Sequence, residues 1–326
     1  MKPLQPAEHP AGLEARTQTA AASARALLNM PMPFETGLRN GVALLLWLVL
    51  CFWFGPVLQQ LLSFALTDEN FSHVLLIPCV SLYLLAQRRR MILASQEWSP
   101  ILGALVMGVG VLCYVSADLP DGEVDKLAMA IAAFVALCWG LFVSCFGTTQ
   151  WREHSFALWL LLFMVPPPSP VLAQLIGFLQ GSSAEVSAAL FSLLGVPVFR
   201  EGFVFSLSQF TIHVAEECSG IRSFLSLVIT ALLAGHWFLT SGWTRLGLVA
   251  IVVPLAIVKN AGRIVGLALL ANYVDPAFIT NSPLHRSGGI PLFALSLVVL
   301  AGIVWGLRRV ERRNGCKATS LVKRGS

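Results

Sequence analysis

The chain has 326 residues, 56% of them hydrophobic and only 12% charged, with a net charge of +5. A soluble domain carries roughly 25% charged residues, so this composition excludes a water-soluble globule. It predicts an all-α polytopic membrane protein whose apolar surface faces lipid. On such a chain excess positive charge orients loops. No basic stripe interleaves with aromatics, which argues against a nucleic-acid partner and leaves membrane lipids as the surrounding one.

Residues 1–38 are polar and Ala-rich and precede any apolar run. A secretory signal would place its apolar core earlier, so this stretch is expected to be a disordered cytoplasmic tail. A membrane-embedded domain is expected over 39–308, followed by a basic cytoplasmic tail, 309–326. Runs long enough to span lie at about 42–66, 72–87, 101–117, 126–147, 155–170, 219–240, 245–271 and 288–307, giving about eight transmembrane helices. A weaker run, 171–195, carries Gln174, Gln180, Ser182, Ser183, Glu185 and Ser187 and follows the chain-breaking VPPPSP of 165–170. After it, VPVFREGFVFSLSQFTIHVAEE places a turn-like REG between partly alternating, β-rich runs, which predicts a small hairpin. No internal repeat is visible.

Loop charge predicts the orientation. Arg16, Arg25 and Arg39 precede the first span, Arg88, Arg89 and Arg90 follow the second, and Arg152 follows the fourth. Arg245 lies between the 219–240 and 245–271 runs, and Arg308, Arg309, Arg312 and Arg313 follow the last. All belong on the cytoplasmic side by the positive-inside rule, with both termini. The acid-rich loops TDEN (67–70) and DLPDGEVD (118–125) then fall outside. Parity leaves 171–195 unable to complete a crossing. It is expected to be a re-entrant or interfacial helix on the outer face, with the hairpin beside it.

Five of the seven cysteines lie in apolar runs, where cysteine acts as a small hydrophobe. Cys316 lies in the polar tail, and Cys218 alone stands at the edge of a span among polar neighbours, in EECSGIRSF (216–224). No Cys/His spacing suggests a metal, and no cofactor is implied. The helix carrying Arg263 starts inside near Arg245, 18 residues earlier, so Arg263 has climbed about 27 Å of a core roughly 30 Å thick. His285 lies in the outer loop NSPLHRSGG. A thiol, a guanidinium and an imidazole thus reach one level, although periodicity does not show that they touch. A thiolate is the reactive form of cysteine, and a helix N-terminus or a cation favours it. Ser219 could cap that helix start, with Arg222 one turn on. His285 could transfer a proton, and Arg263 could hold a thiolate or an oxyanion.

EECSGIRS with Cys218, NAGR with Asn260 and Arg263, and HRSGG with His285 together resemble the exosortase/archaeosortase family. FSHVLLIPCVSLYLLAQRRR (71–90) resembles that family's Ser-His stretch with its basic stop, except that Val74 stands where a glycine often follows the histidine. LLGVPVFREG (193–202) is similar to its segment before the hairpin. The resemblance covers roughly residues 40–307. It implies a membrane-embedded cysteine protease and transpeptidase of the bacterial inner membrane, with its site on the periplasmic side. Its partners would be proteins with a C-terminal tripartite sorting signal: a short PEP-like motif, a transmembrane helix and a basic tail. A glycan or lipid is a potential acceptor. Cys218, Arg263 and His285 would be the catalytic residues, with Glu217, Ser219, Arg222, Asn260 and His73 supporting them or binding substrate.

Plainer readings stand beside these. Cys218 can be an inert boundary thiol, Arg263 a snorkelling interface marker and His285 a solvated loop residue. Arg222 can pair with Glu216 or Glu217. His73, at the outer start of its span, can bond a carbonyl. His213 and His236 read as structural. Lys259, deep in its helix, faces the bundle and is either paired or functional. A transporter of anionic solutes would line its path with Arg263, Lys259 and Glu217, but would favour inverted repeats. A transferase acting on lipid-linked glycans would need outer carboxylates or several histidines, and no thiol.

Overall fold

A computed structural model describes residues 34–207, 211–213, 220–274 and 289–324. The architecture is all-α with one small sheet. The helices are α1 (Phe34–Trp53), α2 (Gly55–Thr67), a 3-10 helix (Glu69–Leu75) leading into α3 (Leu76–Gln87), α4 (Arg89–Leu93), α5 (Pro100–Val115) and α6 (Glu123–Glu153). They continue with α7 (Ser155–Leu160), a second 3-10 helix (Leu161–Met164), α8 (Ser169–Leu193), α9 (Ile221–Phe238), α10 (Gly242–Tyr273) and α11 (Gly289–Arg324). Strands β1 (Phe199–Glu201), β2 (Val204–Ser206) and β3 (Thr211–His213) lie between α8 and α9.

Among the described residues, five helices are long and apolar enough to cross a membrane, or six if 155–164 and 169–193 form one broken span; the same bent pair also fits a re-entrant segment, as expected for 171–195. The expected count of about eight is not confirmed among the described residues. The 42–66 run splits, because α1 ends at Trp53 and Gly55-Pro56 opens a new helix. The helices at 71–87 and 100–115 are apolar but shorter than a straight crossing requires.

The chain divides into two compact units, one of 1–60, 77–119 and 129–165 and one of 61–76, 120–128 and 166–326. In the first, Ile92, Phe142 and Leu158 form a core flanked by Leu85, Trp139, Phe146 and Trp151. The Trp139 indole donates to the Leu158 carbonyl at 2.9 Å, and buried Ser81 donates to the Ala157 carbonyl at 2.6 Å. Helices α5 and α6 cross at glycines. A Cβ at Gly103 would lie 2.6 Å from the Gly140 carbonyl oxygen, and one at Gly140 would lie 2.7 Å from that of Gly103. Small residues of this kind let helix backbones meet where lipid supplies no hydrophobic drive. At the start of α1, Arg39 donates to the Ser95 carbonyl and Asn40 to that of Leu93. These bonds join the start of α1 to the end of α4 and the residues just after it.

In the second unit α10 is central, packing against α8, α9 and α11. One core joins α9, α10 and α11 through Leu227, Ala231, Leu248, Val252, Ala256, Leu300 and Val304. Another joins α8, β2 and α10 through Ala184, Phe191, Phe205, Ile264 and Ala268. The expected hairpin is present and is extended by a third strand, antiparallel throughout, with Arg200 opposite Phe205 and Phe205 opposite Ile212. Phe205, fully buried, pins the sheet to α8 and α10. Arg200 ties it to Glu185 of α8 at 3.0 Å.

The weak run 171–195 forms a 25-residue helix, α8, packed on α10. Its polar residues Gln180, Ser183 and Ser187 are buried. Asp125 accepts from the Ser169 N–H at 2.6 Å at its N-terminus, satisfying one orphan donor.

Candidate functional site

The second unit gathers several of the sequence candidates around the start of α9. Cys218, Ser219, Glu216, Glu217 and His285 lie outside the described residues. Gly220 is the N-cap of α9, with φ 77° and ψ 14°. This left-handed conformation is open to glycine and strained for other residues. It ends the CSG triplet and turns the chain into the helix.

Asn260, on α10 and 2% exposed, lies directly against this turn. A Cβ on Gly220 would meet Asn260 Cγ and Oδ1 at 3.1 Å. Asn260 Nδ2 donates to Ser183 Oγ of α8 at 3.1 Å, and Ser187 Oγ donates to the Ser183 carbonyl at 2.7 Å. One side chain thus ties three helices at the turn: its own α10, α8 through Ser183, and α9 through Gly220. The neighbouring residue does similar work by another route. Lys259 Nζ donates to Ser223 Oγ in the first turn of α9. Ser223 Oγ in turn donates to the Gly220 carbonyl at 2.9 Å.

Arg263 is half-buried on α10, four residues beyond Lys259. That spacing puts both cations on one face, a turn apart. Arg222 is exposed on α9. His73 is half-buried in the 3-10 helix, which packs on α9 beside buried Phe71 and Val74. Asn260, Lys259 and Gly220 are therefore in contact or linked through one hydroxyl, with Arg263 one turn away on the helix that holds them.

Sequence reading overlooked Ser183 and Ser223. Ser183 lies in the polar GSSAEVS, which lowers the hydropathy of α8; the same polarity is the signal for a buried partner, here Asn260. Ser223 lies in EECSGIRSF, five residues after the cysteine in the chain. Among the described residues no three His, Cys, Asp or Glu side chains gather as a metal site would need.

The family model described as Transmembrane exosortase matches residues 64–302. The chain belongs to the exosortase family. This exosortase's matched region takes in the Ser-His stretch at 71–90, α8, the sheet, the CSG triplet, α10 and the segment with His285. Membership supports a membrane transpeptidase role in general terms and agrees with the apolar helices. No curated protein and no solved structure matches this exosortase.

Proposed function

We propose that this exosortase is an integral-membrane cysteine protease and transpeptidase of the bacterial inner membrane. It acts on proteins whose C-terminus carries a PEP-like motif, a transmembrane helix and a basic tail. Its termini are cytoplasmic and its chemistry is on the periplasmic side. The substrate helix enters laterally from the bilayer and brings its motif to Cys218.

The Cys218 thiolate attacks the scissile carbonyl, and Arg263 holds the negative charge that develops on its oxygen. The C–N bond breaks as His285 gives a proton to the leaving amine, and a thioester remains. Water, or a nucleophile of a glycan or lipid, attacks the thioester, gives its proton to the now neutral His285 and frees the thiolate. Glu217, Ser219, Arg222 and His73 support the turn or hold the substrate motif.

The observation that carries this reading is the clasp of Asn260 on Gly220. Asn260 and Gly220, 40 residues apart in the chain, meet there, and Arg263 follows one turn along α10. The test is co-expression with a tagged protein bearing such a C-terminal signal. Wild type is expected to remove the signal and yield a covalent adduct at Cys218. Cys218→Ala processing the substrate at the wild-type rate would refute the reading.

A further inference from the structure

We propose that the cleft where α3 meets α4 binds the headgroup of an anionic phospholipid. The inference concerns the first unit and does not rest on the sorting reading. The cleft has a volume of about 510 Å³ and is lined by Tyr83, Gln87 and Met91 with the three arginines Arg88, Arg89 and Arg90. In a continuous helix three consecutive side chains fan out over about 200° and share no pocket. Here the helix breaks at Arg88, which lies between α3 and α4 with φ −107° and ψ 9°. The Arg88 N–H donates to the Leu85 carbonyl at 3.0 Å, and the Met91 N–H donates to the Arg88 carbonyl at 3.0 Å. This tight turn brings the end of α3 and the start of α4 onto one cleft. Its base is held firmly: Ile92 is buried in the core with Phe142 and Leu158, and Ser95 Oγ donates to the Phe146 carbonyl at 3.1 Å.

Other arginines of the chain spend their charge internally. Arg39 donates to the Ser95 carbonyl, Arg200 pairs with Glu185, Arg245 donates to the Leu239 carbonyl and Arg309 lies over the Trp305 ring. Among the described residues, no ion pair, hydrogen bond or ring contact engages the guanidiniums of Arg88, Arg89 and Arg90, and all three are exposed. Three like charges around one cleft repel one another. A phosphodiester relieves that repulsion, because its oxygens accept the paired N–H groups of a guanidinium fork.

The apolar surroundings point to a lipid as the source of that phosphate. Cys79, Tyr83 and Ala86 are exposed at i, i+4 and i+7 of α3 and so share one helix face. Tyr83 and Ala86 also line the cleft. The cleft is thus continuous with an exposed, uncharged face of an apolar helix. A soluble phosphate would use the arginines alone. A phospholipid uses both parts, with its phosphate among the guanidiniums and an acyl chain along α3. Tyr83 sits at the junction, where an aromatic ring with a polar tip suits the membrane–water boundary. Basic pockets beside apolar helices recognise anionic headgroups in this way.

The experiment is native mass spectrometry of the full chain released from detergent micelles that hold equal amounts of phosphatidylglycerol and phosphatidylcholine with identical acyl chains. At about fivefold per cation, wild type should retain phosphatidylglycerol over phosphatidylcholine by about a hundredfold. The double variant Arg89→Gln with Arg90→Gln should lower that preference about 25-fold. Arg312→Gln with Arg313→Gln removes the same charge from α11 and should leave the preference within about twofold of wild type. Arg90→Gln alone, with a loss of about fivefold, replaces the double variant if that variant does not accumulate. Glycerol phosphate at millimolar concentration should not displace the lipid. Equal retention of the two lipids by wild type overturns the proposal, and so does an unmoved preference in the Arg89 and Arg90 variants. An equal loss in the α11 variant would show attraction by overall charge and no site. Displacement by glycerol phosphate would reassign the cleft to a soluble phosphate and end the lipid assignment.

Discussion

Gly220→Ala is the sharpest test of the clasp between α9 and α10. The substitution meets two separate obstacles. At φ 77° a residue with a Cβ sits in the left-handed region, which costs roughly 1–2 kcal/mol. The new methyl would also press on Asn260 Cγ and Oδ1 at 3.1 Å. Asn260 is 2% exposed and bonded to Ser183, so it has little room to retreat, and overpacking of this kind costs about 1–3 kcal/mol. The expected loss is about 2–5 kcal/mol, read by equilibrium unfolding of the purified chain in mixed micelles. Asn260→Ala removes the second obstacle and leaves the first. The double variant should therefore be less destabilised than the sum of the singles, with a coupling of about 1 kcal/mol or more. A Gly220→Ala chain within about 0.5 kcal/mol of wild type, or strict additivity in the cycle, would refute the contact.

Three other substitutions test the framework. Glu311 of α11 accepts from the Thr240 N–H at 3.0 Å, the Ser241 N–H at 2.9 Å and the Thr244 hydroxyl, capping α10 from another helix. Glu311→Ala should lose about 1–2 kcal/mol, as for a deleted helix cap, with faster hydrogen exchange at the Thr240 and Ser241 amides. Gly103→Ala places a Cβ 1.9 Å from Ser144 Oγ and 2.6 Å from the Gly140 carbonyl oxygen. It should lower thermal stability by about 1–3 kcal/mol, and Ser144→Ala should not rescue it fully because the carbonyl remains. Ser81→Ala strips the 2.6 Å hydrogen bond from the Ala157 carbonyl and should cost about 1 kcal/mol in the same unfolding assay.

The helical class, the family and the hairpin were legible because each leaves a local mark. Long apolar runs give helices, REG gives a turn, and short motifs such as NAGR carry the family likeness. Other features depend on partners remote in sequence. Ser183 and Ser187 count against α8 when hydropathy is summed, yet Ser183 accepts from Asn260, 77 residues away. A buried hydroxyl with a partner no longer carries the desolvation cost that the sum assumes. The cap on α10 is equally invisible locally, since Ser241 makes no side-chain cap bond and Glu311 supplies the acceptors from 70 residues on. The split after Trp53 was legible in Gly55-Pro56 but lay inside an apolar run that read as continuous.

Two adjacent residues of α10 address the same turn by different physics. Asn260 fills the space against Gly220 and bonds to α8, so its effect is steric and falls off within one contact. Lys259 reaches Ser223 and brings a full charge, whose effect extends over several ångströms where water is scarce. Helical geometry makes the division natural, because neighbouring positions point about 100° apart and meet different helices. Asn260 meets α8 and the cap, whereas Lys259 meets the first turn of α9. Arg263 completes the set, one turn beyond Lys259 on the same face. A single helix, long and apolar enough to cross a membrane, thus fixes both the shape of the turn and the charge around it.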